Sequence, residues 1–131
     1  MAFQCTIVTP EQQALDASIE QAILPAHDGL IGILTDRAPL LVKLGVGALR
    51  VDLAQGQKRF FLVDGGVAQM KDNKLTVLTT LATPASEIKT DTARAEYAEA
   101  EARNATDPQA MADRQRQMDR ARAAQSIAGK Q

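Results

Sequence analysis

Leucine is confined to one part of this chain. Thirteen leucines fall between Leu15 and Leu81, and none follows. Residues 1–84 therefore have to hold the main core, and residues 85–131 either dock on it or stand apart from it. The sequence before Pro84 reads as short apolar runs parted by turn residues. FQCTIVT sets Phe3, Cys5 and Ile7 on one face and breaks at Pro10. SIEQAIL alternates, with Ile19, Gln21 and Ile23 opposite Glu20, Ala22 and Leu24, and is predicted to stop at Pro25. LIGIL, LLVKL, VGALRVDL, KRFFLV, VAQMK and LTVLTTL complete the series, with turns at HDG, TDRAP, AQGQ, Gly65-Gly66 and Asp72-Asn73-Lys74. Short strands at this spacing predict an all-β sandwich or barrel. A domain of this size buries about 60–65% of its unfolded surface, enough to fold alone with a thin margin.

After Pro84 the period changes. TDTARAEYAEAEAR, residues 90–103, is almost all alanine and charge, with Thr90 or Asp91 placed to cap a helix start. Glu99 and Arg103 stand at a favourable i, i+4 spacing. NATDP breaks the helix, and Asp107-Pro108 restarts one: a capping acid with proline in the first helical position. The second helix is predicted from about Pro108 to Ile127, with Met111 and Met118 as a thin seam. The fold class is thus α+β: an N-terminal all-β sandwich, residues 1–84, followed by an antiparallel two-helix hairpin, residues 85–131. Only Tyr97, the two methionines, Ile88, Ile127 and alanines are available to attach that hairpin, so it is expected to dock weakly.

Charge separates the two helices. Glu87, Asp91, Glu96, Glu99 and Glu101 outnumber Lys89 and Arg94 on the first. Arg114, Arg116, Arg120 and Arg122 outnumber Asp113 and Asp119 on the second. These are either two solvated faces that attract mildly, at about 0–1 kcal/mol per pair, or a basic helix with an acidic partner elsewhere.

Composition narrows the function. Net charge is −1 and there is no tryptophan, which offers nucleic acid neither a field nor a stacking platform. Cys5 is the single cysteine, so no intrachain disulfide forms and a reducing compartment is expected. The N-terminus lacks a basic start with an apolar run, and no apolar run approaches the roughly 20 residues of a membrane helix; a soluble cytoplasmic protein is expected. Catalytic groups do not converge. His27, the single histidine, stands beside Asp28 in a turn and reads as solvated. Cys5 reads as a small core residue. Gly45-Val46-Gly47 lacks the third glycine and the helix of a dinucleotide loop. Asn104-Ala105-Thr106 fits a glycosylation sequon that means nothing in a cytoplasmic chain. No catalytic or metal-binding residue is assigned.

One segment is more specific. VTPEQQALDASIEQAILPAHDGLIGILTDRAPLLVKLGVGALRV, then FFLVDGGVAQMKDNKLTVL and the TDTARA helix start, resembles the epsilon subunits of bacterial F-type ATP synthases. The resemblance runs from Phe3 to about Ile127, and its strength is the collinear order of motifs that are individually weak. It implies a non-catalytic subunit of the rotating central stalk. The sandwich is implied to bind the gamma subunit and the ring of c subunits. The hairpin is implied either to fold on the sandwich or to extend along gamma toward the alpha and beta subunits, where it inhibits ATP hydrolysis. The implied location is the cytoplasmic face of the bacterial inner membrane, held peripherally.

The resemblance also assigns residues. Asp28, Leu30, Asp36, Arg37, Ala38 and Pro39 fall in the region expected to face the c-ring. Leu30 stands where the family often has an acid, and Arg37 where a histidine commonly precedes Ala-Pro, so the family's polar contacts there do not transfer one for one. Pro39 keeps Ala38 extended. Arg114, Arg116, Arg120 and Arg122 are the complement to an acidic segment of beta. Some family members bind ATP on the hairpin through an (Ile/Leu)-Asp-x-x-Arg-Ala sequence. Asp91, Arg94 and Ala95 match it, with Thr90 in the apolar place and Arg120 aligned on the second helix. Glu101 stands where a further cation is expected, so ATP binding is expected to be weak or absent. The alternative outside the family is a stand-alone sandwich adaptor whose hairpin binds another protein. A small-molecule sandwich enzyme is disfavoured by the missing catalytic groups.

Overall fold

The computed structural model describes residues 2–26 and 29–128. Nine strands come first: β1 (Phe3–Val8), β2 (Gln13–Ala26), β3 (Gly29–Leu34), β4 (Leu40–Lys43), β5 (Val46–Leu53), β6 (Lys58–Asp64), β7 (Val67–Lys71), β8 (Lys74–Leu78) and β9 (Ala82–Pro84). A single 3-10 turn (Ala85–Glu87) leads to α1 (Thr90–Ala102) and α2 (Pro108–Ile127). The long strand β2 joins two layers. Its first part pairs with β1, which continues the order β4-β7-β8-β1. Its last part pairs with β3 on one edge and β5 on the other, and β6 and β9 follow. β1 and β8 are parallel, and the other pairs are antiparallel.

One apolar cluster fills the space between the layers, with Phe3, Ile7, Ile19, Leu24, Leu49, Phe61, Met70 and Val77 among its members and no helical residue. Residues 1–84 therefore own a complete core, as the leucine distribution predicts.

Two features of β2 depart from the sequence reading. The strand does not stop at Pro25 but runs on to Ala26. Pro25 lies beyond the last β2–β5 pair, Ile23 with Arg50, where the ladder asks for no N–H. Its carbonyl instead accepts from the Gly45 N–H at 2.8 Å. The predicted alternation also changes parity. A bulge between Ile19 and Gln21 shifts the register, so Ile19 is buried on one side of it and Ala22 and Leu24 on the other, while Ile23 is only half-buried.

Local turn chemistry fixes the hairpins. Asp72 and Asn73 both have positive φ, 52° and 57°, which makes the two-residue turn whose twist matches β7 and β8. Gly66 (φ 114°) has to be glycine, because a Cβ there would lie 2.1 Å from the Leu78 carbonyl oxygen.

The helices meet the expected boundaries, but their ends differ in quality. Asp107 caps α2, its carboxylate accepting from the Ala110 N–H at 2.7 Å with Pro108 next in line. Neither Thr90 nor Asp91 caps α1: Lys89 takes the cap position and makes no side-chain cap bond. Thr90 is already helical, and Asp91 in the first turn is left to act on the helix dipole. The methionine seam is also corrected. Met111, in the first turn of α2, is 57% exposed, and the helices close instead on alanines: Ala93 and Ala100 of α1 and Ala121 and Ala124 of α2 are buried. Arg103 donates to Gln117 Oε1 on α2 at 2.5 Å, an interhelical bond in place of the predicted i, i+4 pair with Glu99.

Candidate functional site

The hairpin lies against the outer face of β5 and β6. A second, smaller cluster joins Leu62 and Ala85 to Ala93, Ala124 and Ile127, with Phe60, Leu81 and Ile88 at its margin. Alternation in KRFFLVD explains the split, since Phe61 and Val63 go inward while Phe60, Leu62 and Asp64 face the helices or solvent. Alanines let the helices approach closely, and Leu62 and Ile127 supply the larger buried side chains of the contact.

At the edge of this contact stands Asp64, the last residue of β6, with a side chain only 15% exposed. Arg116 Nε lies 3.4 Å from Oδ1, and Arg120 Nη1 donates to Oδ2 at 3.1 Å. Oδ1 accepts no hydrogen bond within range, so the Arg116 contact is an ion pair at longer reach. Sequence reasoning passed over Asp64. The signal available was an acid closing an apolar strand immediately before Gly65-Gly66.

The other two predicted arginines face α1. Arg114 donates to the Glu101 carbonyl at 2.8 Å. Arg122 donates to the Tyr97 hydroxyl at 2.9 Å, with its guanidinium 5.5 Å from the ring centroid. All four arginines of α2 are thus occupied within the chain in the docked state.

Among the described residues, those predicted to face a c-ring lie at the two ends of β3. Asp28, with His27, lies outside the described residues. Leu30, 74% exposed, is near the start of β3. Asp36, Arg37, Ala38 and Pro39 lie beyond its other end, and a six-residue strand spans roughly 17–20 Å. The 36–39 turn is well fixed. Asp36 adopts φ 64°, its N–H donates to Asn73 Oδ1 at 2.8 Å, and Asn73 Nδ2 returns a bond to Asp36 Oδ1 at 2.9 Å. This clasp ties the turn to the β7–β8 turn and leaves Arg37, Ala38 and Pro39 exposed.

The three residues assigned to a possible ATP site, Asp91, Arg94 and Arg120, differ in role. A cleft of about 360 Å³ between sandwich and hairpin is lined by Leu62, Leu81, Ile88, Lys89, Ala93 and Arg120 among others, with Glu87 and Glu96 adding negative charge. Arg120 is committed to Asp64, while Asp91 and Arg94 are exposed on α1 and do not line the cleft. Among the described residues no group of three histidine, cysteine, aspartate or glutamate side chains could hold a metal ion. No helix of the described residues is long and apolar enough to cross a membrane.

The family profile described as "ATP synthase, Delta/Epsilon chain, beta-sandwich domain" matches residues 2–85. The chain belongs to the ATP synthase delta/epsilon family. The matched residues coincide with the nine strands, so the family is carried by the part that owns the core. An ATP synthase epsilon chain of Rhodopirellula baltica is 41% identical over 100 residues, covering 76% of this chain and 77% of the relative. One from Chromohalobacter salexigens is 37% identical over 127 residues, 97% of this chain and 85% of the relative, and so includes the hairpin. Among solved structures, a chain of the Euglena gracilis mitochondrial ATP synthase (OSCP/F1/c-ring, rotational state 1) superposes with a TM-score of 0.86 at 19% identity, over 95% of this chain and 80% of that one. A chain of the Tetrahymena thermophila mitochondrial ATP synthase central stalk and c-ring gives 0.71 at 14% identity, over 94% and 93%. At such identities the two structures establish the shared fold alone.

Proposed function

We propose that this chain is the epsilon-type subunit of the rotor of an F-type ATP synthase, without catalytic activity of its own. The observation that carries the reading is similarity to epsilon chains that continues through the hairpin, as in the 97% of this chain aligned with the Chromohalobacter salexigens relative. In this reading the sandwich binds gamma and rests on the c-ring at the cytoplasmic face of the bacterial inner membrane. Exposed Leu41, Val67 and Leu78 support the first contact, because they lie on the outer side of the β4-β7-β8 layer, where a protein partner can cover them. The clasped 36–39 turn with Arg37, or the β3 start with Leu30, supports the second. The hairpin regulates by leaving the sandwich and reaching the alpha and beta subunits, where Arg114, Arg116, Arg120 and Arg122 meet acidic groups. Co-purification tests the reading: tagged chain should retain gamma from a mixture of synthase subunits, and so should residues 1–85 alone. Retention of neither, with the chain folded, would overturn this reading for the chain.

A further inference from the structure

The four arginines of α2 divide by what they hold. Arg116 and Arg120, one turn apart, reach a single carboxylate on the sandwich, at 3.4 Å and 3.1 Å. Arg114 and Arg122 hold α1 through the Glu101 carbonyl and the Tyr97 hydroxyl. The carboxylate they share is firmly placed. The Asp64 carbonyl accepts from the Thr80 hydroxyl at 3.2 Å, and the next carbonyl, of Gly65, accepts from the Thr79 hydroxyl at 2.7 Å. Docking takes this carboxylate largely out of water and gives Oδ1 no hydrogen bond in return. Its two cations therefore decide whether the docked state tolerates it, because a desolvated charge is acceptable only when paired. Beneath them the apolar contact of Leu62, Ile127 and alanines adds to docking, but it cannot compensate a buried carboxylate left without its cations.

We propose that Asp64 is the latch that sets whether the hairpin is docked, and that the closure of the hairpin upon itself is set separately by Arg114 and Arg122. Release then has two steps that single variants can separate. Loss of the Asp64 contacts frees a closed hairpin, and loss of the α1 contacts opens a hairpin whose α2 stays on the sandwich. The proposal concerns the isolated chain and does not rest on the ATP synthase reading.

Distances between spin labels test it at low ionic strength. Labels on Lys43→Cys and Met111→Cys report sandwich to α2, since Lys43 and Ala112 border one groove at the Asp64 end of the contact, and labels on Ala98→Cys and Ala112→Cys report α1 to α2. Native Cys5 is buried and stays unlabelled. The parent chain should show short distances for both pairs. Asp64→Asn should raise the long-distance fraction of the first pair about tenfold and leave the second unchanged. Arg116→Gln with Arg120→Gln should do at least as much, because it strands the buried carboxylate, and adding Asp64→Asn to it should give no further release. Arg114→Gln with Arg122→Gln should lengthen the second pair alone. Should Asp64→Asn fail to fold, the Arg116/Arg120 variant alters no sandwich residue and tests the latch through the same distances. The latch is overturned by a parent chain already long in the first pair, or by Arg116/Arg120 or folded Asp64→Asn variants that stay docked. Equal release of α2 by the Arg114/Arg122 variant would overturn the division of roles.

Discussion

The Cys5 thiol sits inside the sandwich, fully buried, and burial with a smaller push from the charge of Asp16 raises it to about 12 from 9.0. A thiol so held is inert, in agreement with its reading as a core residue. The sign of the pH effect follows. Below pH 9 both folded and unfolded chains keep the proton, and above it only the unfolded chain releases it, so stability falls as pH rises through this window. Between pH 9 and 11 the native chain should lose up to about 1.4 kcal/mol per pH unit relative to Cys5→Ala. Denaturant titrations of both chains at several pH values measure the difference, and parallel curves would show that the thiol is not sealed. Gly66 gives a steric counterpart. Gly66→Ala would press a Cβ on the Leu78 carbonyl at a φ of 114°, which cannot be relieved without parting β7 from β8. We expect a loss of about 3 kcal/mol or more. Gly56→Ala, with φ 98° but open space around it, should lose about half as much in the same melts.

At the scale of elements, the two helices differ in how their first turns are satisfied. Asp107→Ala removes the cap bond to Ala110 and should destabilise the hairpin by about 1 kcal/mol, read as lost helicity or faster amide exchange in α2. Lys89→Ser should do the reverse for α1, stabilising it by a similar amount, because the cap position now has no side-chain acceptor. Amide exchange in residues 90–94 that is no slower after the substitution would refute that expectation. The sandwich is the third element to test alone. Since its core contains no helical residue, residues 1–85 should fold and melt cooperatively. Leu62, Phe60 and Leu81 would then be newly exposed, so this shortened chain should also self-associate more readily than the full one.

At the scale of the whole molecule, the proposed role places the hairpin between two environments. In the reconstituted synthase, neutralising Arg114, Arg116, Arg120 and Arg122 together removes both the contacts of the docked state and the charges offered to the alpha and beta subunits. We expect weaker inhibition of ATP hydrolysis, with the difference shrinking as salt screens the exposed pairs. Measured in an Asp64→Asn background, where the latch is already lost, unchanged inhibition at low salt would exclude a role for these charges in the extended state. ATP itself should bind the isolated subunit only in the millimolar range or not at all. Arg120 is already engaged by Asp64, Asp91 and Arg94 stand away from the cleft, and Glu87 and Glu96 line it. A micromolar dissociation constant by calorimetry, lost on Arg94→Ala, would refute that expectation.

What the sequence determined by itself was local or compositional. The leucine boundary set where the core ends, the alternation in FQCTIVT buried Phe3, Cys5 and Ile7, and Asp107-Pro108 announced a cap that forms. Each rests on neighbours a few positions away, and here no long-range contact overruled it. The bulge beside Ile19, the continuation of β2 through Pro25 and the closing of the helices on alanine were decided by packing against strands and helices distant in the chain. The arginines of α2 were legible as a charged face, but not their partners. Asp64 precedes Arg116 by 52 positions and Arg120 by 56, and only folding, which brings the end of β6 under α2, turns a strand-end acid and two helix cations into one contact.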